Sequence, residues 1–161
     1  MNNIDCGIKK EKNMPYLWDS ELWEDFTSIM EFLLWASIEK EEIERNEENS
    51  LNFTIRISEE MQEAEEIIKR RLQLSSISGI KLHTANFFSV CKLTKIEQFA
   101  IILSGVAGIN YKFNSVLTAA EKSRNVQTPT IDMVLRLYNM LKIPDLKEIS
   151  LLINIRDNLE L

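Results

Sequence analysis

The stretch that decides the fold is Leu93–Val106, Leu-Thr-Lys-Ile-Glu-Gln-Phe-Ala-Ile-Ile-Leu-Ser-Gly-Val. Thr94 and Glu97 have the spacing of a capping box. The hydroxyl accepts from the N–H of Glu97, and the carboxylate accepts from the N–H of Thr94. After this start come Ile96, Phe99, Ile102, Leu103 and Val106 at spacings of three and four, the period of one helical face. Beyond its first turn the segment is nearly all apolar, so it reads as a core helix. Gly105, Gly108 and Asn110 read as its end.

Upstream, a helix is expected from about Lys81 to Val90, then a short turn at Cys91-Lys92-Leu93. The two helices have helix-turn-helix spacing. A DNA reader needs a second helix whose side chains reach base edges, and the apolar run here does not supply them. Downstream, Phe113, Val116, Leu117 and Ala120 predict a short helix. Pro129 suits the first turn of a final long helix, with Ile131, Val134, Leu135, Tyr138 and Leu141 on its apolar side. Pro144-Asp145 opens a last segment reaching about Ile155.

The N-terminal half reads differently. Residues 1–15 are polar and are expected to be a disordered leader. Asp19 or Ser20 is expected to cap a helix. Trp18, Leu22, Phe26, Ile29, Met30, Leu33 and Ser37 mark one face of it, and Trp23, Phe32, Leu34 and Trp35 widen the apolar surface. A helix apolar on more than one side is buried on more than one side, so it packs centrally or meets another chain. Lys40–Ser50, with five glutamates, reads as a solvated helix end and linker. Leu51, Phe53, Ile55 and Ile57 then alternate with Asn52, Thr54 and Arg56, which predicts a short strand. Residues 124–128 are its only weak partner. Ser58 is expected to cap the next helix, with Met61, Ala64, Ile68 and Leu72 buried and Lys69, Arg70 and Arg71 in its last turns. Ser75–Gly79 reads as a loop. The fold class is mainly α: a compact multi-helix domain with a helix-turn-helix or winged-helix-like part and at most a small β element. The leader covers 1–15, and a single helical domain covers 16–161. Within it, 16–74 hold the N-terminal helices with an acidic linker at 40–50, and 81–155 form the helix-turn-helix-like core.

Composition narrows the function classes. The chain has 161 residues, a net charge of −6, four glycines and three prolines. Its length supports one domain with a real core. The acidic balance argues against a nucleic-acid partner that needs broad phosphate neutralisation. Residues 1–80 carry a net −9 and residues 81–161 a net +3, which reads as a solvated acidic helix and loop on a near-neutral body. Cys91 lies in an apolar run and reads as a small core residue, whereas Cys6 lies in the leader. Two distant cysteines make a reducing, cytoplasmic setting the default. The first fifteen residues lack the apolar core of a secretory signal, and no run approaches the ~18 apolar residues of a membrane span.

Chemistry-bearing patterns are sparse. His83 has no zinc-spaced companions and reads as a surface or satisfied polar residue. Glu59/Glu60 and Glu65/Glu66 are neighbours on an exposed face, without the contrasting environments that catalytic acids need. No Walker or dinucleotide glycine motif occurs, and Gly105-x-x-Gly108 is too short a spacing. No catalytic, cofactor or metal site is therefore expected. Trp18, Trp23 and Trp35 are the candidate interaction surface, because tryptophan is enriched at binding hot spots.

The order of these elements resembles the domain that precedes the ATPase module in a group of bacterial AAA+ ATPases, a winged-helix variant. Its pattern, L-[ST]-x-x-E, a leucine-rich helix, an aromatic-bearing helix and P-T-[VI]-D-x-x-L-x-L, is similar to Leu93–Glu97, Ile101–Leu103, Phe113 and Pro129–Asp132 with Leu135 and Leu137. Tyr16-Leu17-x-Asp19 and Ile55–Glu60 resemble its upstream segments, so the resemblance spans about residues 16–152. The connection from Leu103 to Phe113 is longer than in that pattern, and of its loop arginines only Arg124 is present. The resemblance implies a non-catalytic domain for recognition, positioning or regulation, with a protein client or its own ATPase module as partner. ATP and Mg belong to the module, which this chain lacks, and any oligomer would form through it. Neither nucleic acid nor a membrane is expected as a partner. The alternative is a stand-alone helix-turn-helix-like DNA-binding transcription regulator, and a third reading is an enzyme with an unrecognised site.

Overall fold

The computed structural model describes residues 7–8, 13–46, 51–122 and 126–140. These form six helices and no strand: α1 Asp19–Arg45, α2 Leu51–Ile77, α3 His83–Val90, α4 Lys95–Ile109, α5 Phe113–Glu121 and α6 Ile131–Met140. The expectations for Leu141 and for the segment from Pro144 lie outside the described residues, as does most of the leader, although Ile8 is buried.

α1 is the hub. Leu22, Phe26, Ile29, Met30 and Leu33 fill one face, and Phe32, Leu34 and Ala36 fill a second. It accordingly packs against α2, α4, α5 and α6. The two-sided apolar pattern has its cause here: this helix has core on both sides. α1 continues through the acidic stretch to Arg45, with Asn46 closing it, so residues 40–45 of the expected acidic linker are helix. Glu41 earns its place inside that stretch by pairing with Lys122 at the end of α5 and with Arg136 of α6 (3.4 Å).

The strand expected at Leu51–Ile57 is helix. Phe53, Ile57, Met61, Ala64, Ile68, Arg71 and Ser75 form one buried stripe along α2. Their spacings are four, four, three, four, three and four, the mix of one helix face packed along a neighbour. Leu51 and Ile55 point to solvent. A two-residue alternation shares every second member with a four-residue step, so the longer period wins once the helix propagates cooperatively from its packed part. Ser58, expected as a cap, lies buried inside this helix. α2 runs antiparallel to α1, as Arg56–Glu39 (3.2 Å) and Arg71–Asp25 (2.9 Å) show from opposite ends. It extends three residues into the Ser75–Gly79 stretch, to Ile77, and stops in a Schellman motif. The Ile80 N–H bonds the Ser75 carbonyl and the Gly79 N–H bonds that of Ser76, with Gly79 left-handed at φ 72°.

The capping box of α4 forms as expected, with Thr94 and Glu97 satisfying each other's backbone N–H. Phe99, Ile102, Leu103 and Val106 are buried, and Ile96 packs at the margin of the core. The helix does not end at its glycines but passes through both to Ile109. At Gly105 the absent side chain has a reason: a Cβ there would stand 2.5 Å from the Trp23 ring. The buried residues of α5 are the four expected. In α6 Tyr138 is buried and Val134 packs on the core as expected, but Met133 and Leu137 complete the buried face, whereas Ile131 and Leu135 are exposed. Thr130, not Pro129, starts this helix, its hydroxyl accepting from the Met133 N–H (3.2 Å). Cys91, expected in the core, is exposed at the end of α3. No helix among the described residues is long and apolar enough to cross a membrane.

Candidate functional site

The segment before α1 is extended and held to the body like a strap. Tyr16 is fully buried. Its hydroxyl donates to the Asp25 carboxylate at 2.6 Å, and its ring lies under the Arg71 guanidinium, 3.9 Å from centroid to carbon. Arg71, itself 4 % exposed, donates to Asp25 at 2.9 Å and to the Met14 carbonyl at 3.1 Å. The Ser75 hydroxyl donates to the Tyr16 carbonyl at 2.9 Å, and the Leu17 N–H donates to Glu21 at 2.9 Å. Burial, then the neighbouring Asp25 charge, pushes the Tyr16 phenol well above its ordinary value. Arg71 therefore meets a carboxylate, a carbonyl and an aromatic face at once, the full set of partners a buried guanidinium needs. Its placement in the helix end was expected, its burial was not.

What the strap leaves outside is apolar. Met14, Leu17 and Trp18 are 56 %, 50 % and 70 % exposed. Their backbone is fixed on both sides of Tyr16 while their side chains face solvent.

Asp19 finishes the strap. It was expected to cap α1, and instead caps α3. One carboxylate oxygen accepts from the Thr84 N–H at 2.7 Å and the other from the His83 N–H at 3.0 Å. The residue in the N-cap position, Leu82, offers no side-chain oxygen, so a carboxylate from another helix supplies the missing acceptor. Partial burial opposes ionisation of Asp19, and the hydrogen bonds from Thr84 and His83 outweigh it, holding its pKa below the usual carboxylate value.

Beside the strap lies a cleft of about 570 Å³ between the end of α2 and α3. Leu72, Ile80, Leu82 and Ala85 supply its apolar wall, with Lys81, His83 and Asn86 among its polar groups. Ser75 and His83, which hold the strap, also line the cleft.

The three tryptophans expected as an interaction surface do not come together. Trp23 is committed inward. Its indole N–H donates to the Thr84 hydroxyl at 3.0 Å, its ring meets Phe26 edge-on at 5.5 Å, and it fills the space over Gly105. Trp35 is 44 % exposed but lies about 25 Å along the α1 axis from Trp18, at ~1.5 Å per residue. Trp18 alone belongs to the strap. Its companions Met14 and Leu17 were missed, because exposure of an apolar side chain is not written in its own residue type.

Comparisons with protein families, curated proteins and solved structures give no match.

His83 is exposed and bonds through its backbone. Among the described residues no group of three or more His, Cys, Asp or Glu could hold a metal ion. Partial burial raises the pKa of Glu65 on α2.

Proposed function

We propose that this chain is a non-catalytic recognition domain whose partner is a protein, docking over Trp18 and the apolar side chains beside it. The observation that carries the reading is the strap. A large aromatic held in solvent on a backbone that is already immobilised loses little further conformational entropy on binding, and a tryptophan in such a setting is the commonest kind of hot spot. The resemblance to the domain preceding the ATPase module of bacterial AAA+ ATPases gives this surface a role: to position a protein client, or the module itself.

Selection of a random peptide library against the chain tests the reading. Enriched peptides should lose about 30-fold or more in affinity on Trp18→Ala, the equivalent of a hot-spot loss of ~2 kcal/mol. A library that yields no binder, or binders indifferent to Trp18, overturns it. Reading the gene beyond the Leu161 codon tests the ATPase link separately, through the presence or absence of a P-loop motif. The DNA-binding alternative finds little support in the helix pair α3–α4, since α4 spends its surface on α1, α5 and α6. A gel shift on random duplex with a steep salt dependence would restore it.

A further inference from the structure

α3 differs from every other helix in how it is held. Of its eight residues only Ala85 and Phe88 are buried, and it packs broadly on no other helix. Phe87 and Val90 are exposed at 48 % and 68 %. Among the described residues three hydrogen bonds tie it to the body: the two Asp19 bonds to the His83 and Thr84 N–H groups, and the Trp23 indole bond to the Thr84 hydroxyl. All three meet its first turn. On either side the chain passes through a left-handed residue, Gly79 at φ 72° and Lys92 at φ 47°. These two turns bound α3 as a segment, Gly79 within the Schellman motif that ends α2. Under the helix lies the cleft walled by Leu72, Ile80 and Leu82.

We infer that α3 is a lid over this cleft, latched at its first turn by Asp19 and opening between the turns at Gly79 and Lys92. With the latch closed, the N–H groups of the first turn have their acceptor and Phe88 sits in the core. With it open, those N–H groups turn to water, Phe88 leaves the core and the apolar wall of the cleft is uncovered. The opening costs two buried side chains and three hydrogen bonds, far less than global unfolding, and a segment held this way opens as a local unit. Two of the three hydrogen bonds come from one carboxylate, so a single substitution weakens the latch without touching the body.

Amide hydrogen exchange on the full chain tests this, comparing wild type with Asp19→Ala and, as a second variant that removes the indole's acceptor, Thr84→Val. In wild type the α3 amides should exchange well ahead of those of α1 and α4. In both variants they should exchange at least about tenfold faster, with α1 and α4 rates unchanged, and the apolar dye ANS should bind more strongly as the cleft wall is exposed. Two outcomes overturn the lid. One is α3 protection that does not respond to either substitution. The other is acceleration of α3, α1 and α4 together, which would make α3 part of the common core. The peptide selection at Trp18 is made on the unsubstituted chain, so the recognition reading stands or falls on its own test.

Discussion

Gly105 and Gly108 sit three residues apart on α4 and look alike in sequence. At Gly105 a Cβ would reach 2.5 Å from Trp23, and at Gly108 it would meet nothing within 4 Å. The Trp23 ring cannot simply retreat, because its N–H is tied to Thr84 and its face is set against Phe26. Gly105→Ala should therefore lose the ~1 kcal/mol that alanine gains over glycine in a helix to overpacking of about 1–3 kcal/mol, giving net destabilisation or none. Gly108→Ala should stabilise by about 0.5–1 kcal/mol. Urea denaturation of the two variants reads the difference directly. Equal stabilisation by both would mean that Trp23 does not occupy the space over α4. At the same scale Thr94 and Glu97 close their box as their spacing demands, because a cap is a local device and needs nothing from the rest of the chain. Asp19 shows the opposite. Its type announces a cap, and the helix it caps begins 64 residues later, a distance no local pattern reports.

At the scale of elements, the reading of α2 can be tested against the strand it replaces. In a strand Ile55 and Ile57 would share a face. In the helix Ile57 is buried at 4 % while Ile55 is 45 % exposed. Ile57→Ala should cost ~2–5 kcal/mol as a core truncation, and Ile55→Ala should stay within about 0.5 kcal/mol, both measured by thermal or urea unfolding. Similar losses at both positions would return the segment to β structure. α1, α4 and α5 were legible because each carries enough three-and-four spaced apolar residues to leave one answer. α2 was half legible: its later stripe is plain, but Leu51–Ile57 satisfies two periods at once, and only the neighbour α1 decides between them. The face of α6 was half legible: Val134 and Tyr138 pack inward as read, but Ile131 and Leu135 fit the same period as Met133 and Leu137 and lie a little round the helix. Arg71 could have been found. It continues the stripe Met61, Ala64, Ile68 toward Ser75, and a guanidinium in a core register requires a buried partner. The exposure of Met14, Leu17 and Trp18 could not, since it follows from what Tyr16 and Arg71 do together.

For the molecule as a whole, the ionisable groups set opposite limits on the pH range of stability. Asp19 and Glu41 have lowered pKa values in the fold. Asp19 is held by its bonds to Thr84 and His83, and Glu41 chiefly by the hydrogen bond from Lys122. Their contribution is complete above the ordinary carboxylate range and is lost as pH falls through the lowered values. Glu65, raised by burial, works the other way and gives back a little on acidification. Tyr16 governs the alkaline side. Its phenol is buried against Asp25 and keeps its proton in the fold where an unfolded tyrosine would release it. The stability from this is fully present below the unfolded value of about 10 and declines as pH rises past it, by at most about 1.4 kcal/mol per pH unit. Urea midpoints between pH 7 and pH 11 should thus hold steady and then fall for the wild type. Tyr16→Phe should begin lower, by ~1.5–3 kcal/mol for the lost bond to a carboxylate, and then fall less steeply above pH 10. A parallel decline in both proteins would show that another group carries the alkaline limb. It would also show that the strap opens before its tyrosine is called on to stay protonated. A flatter decline in the variant would establish that the strap stays seated over Arg71 up to the point of global unfolding, the rigidity on which a solvent-facing Trp18 depends.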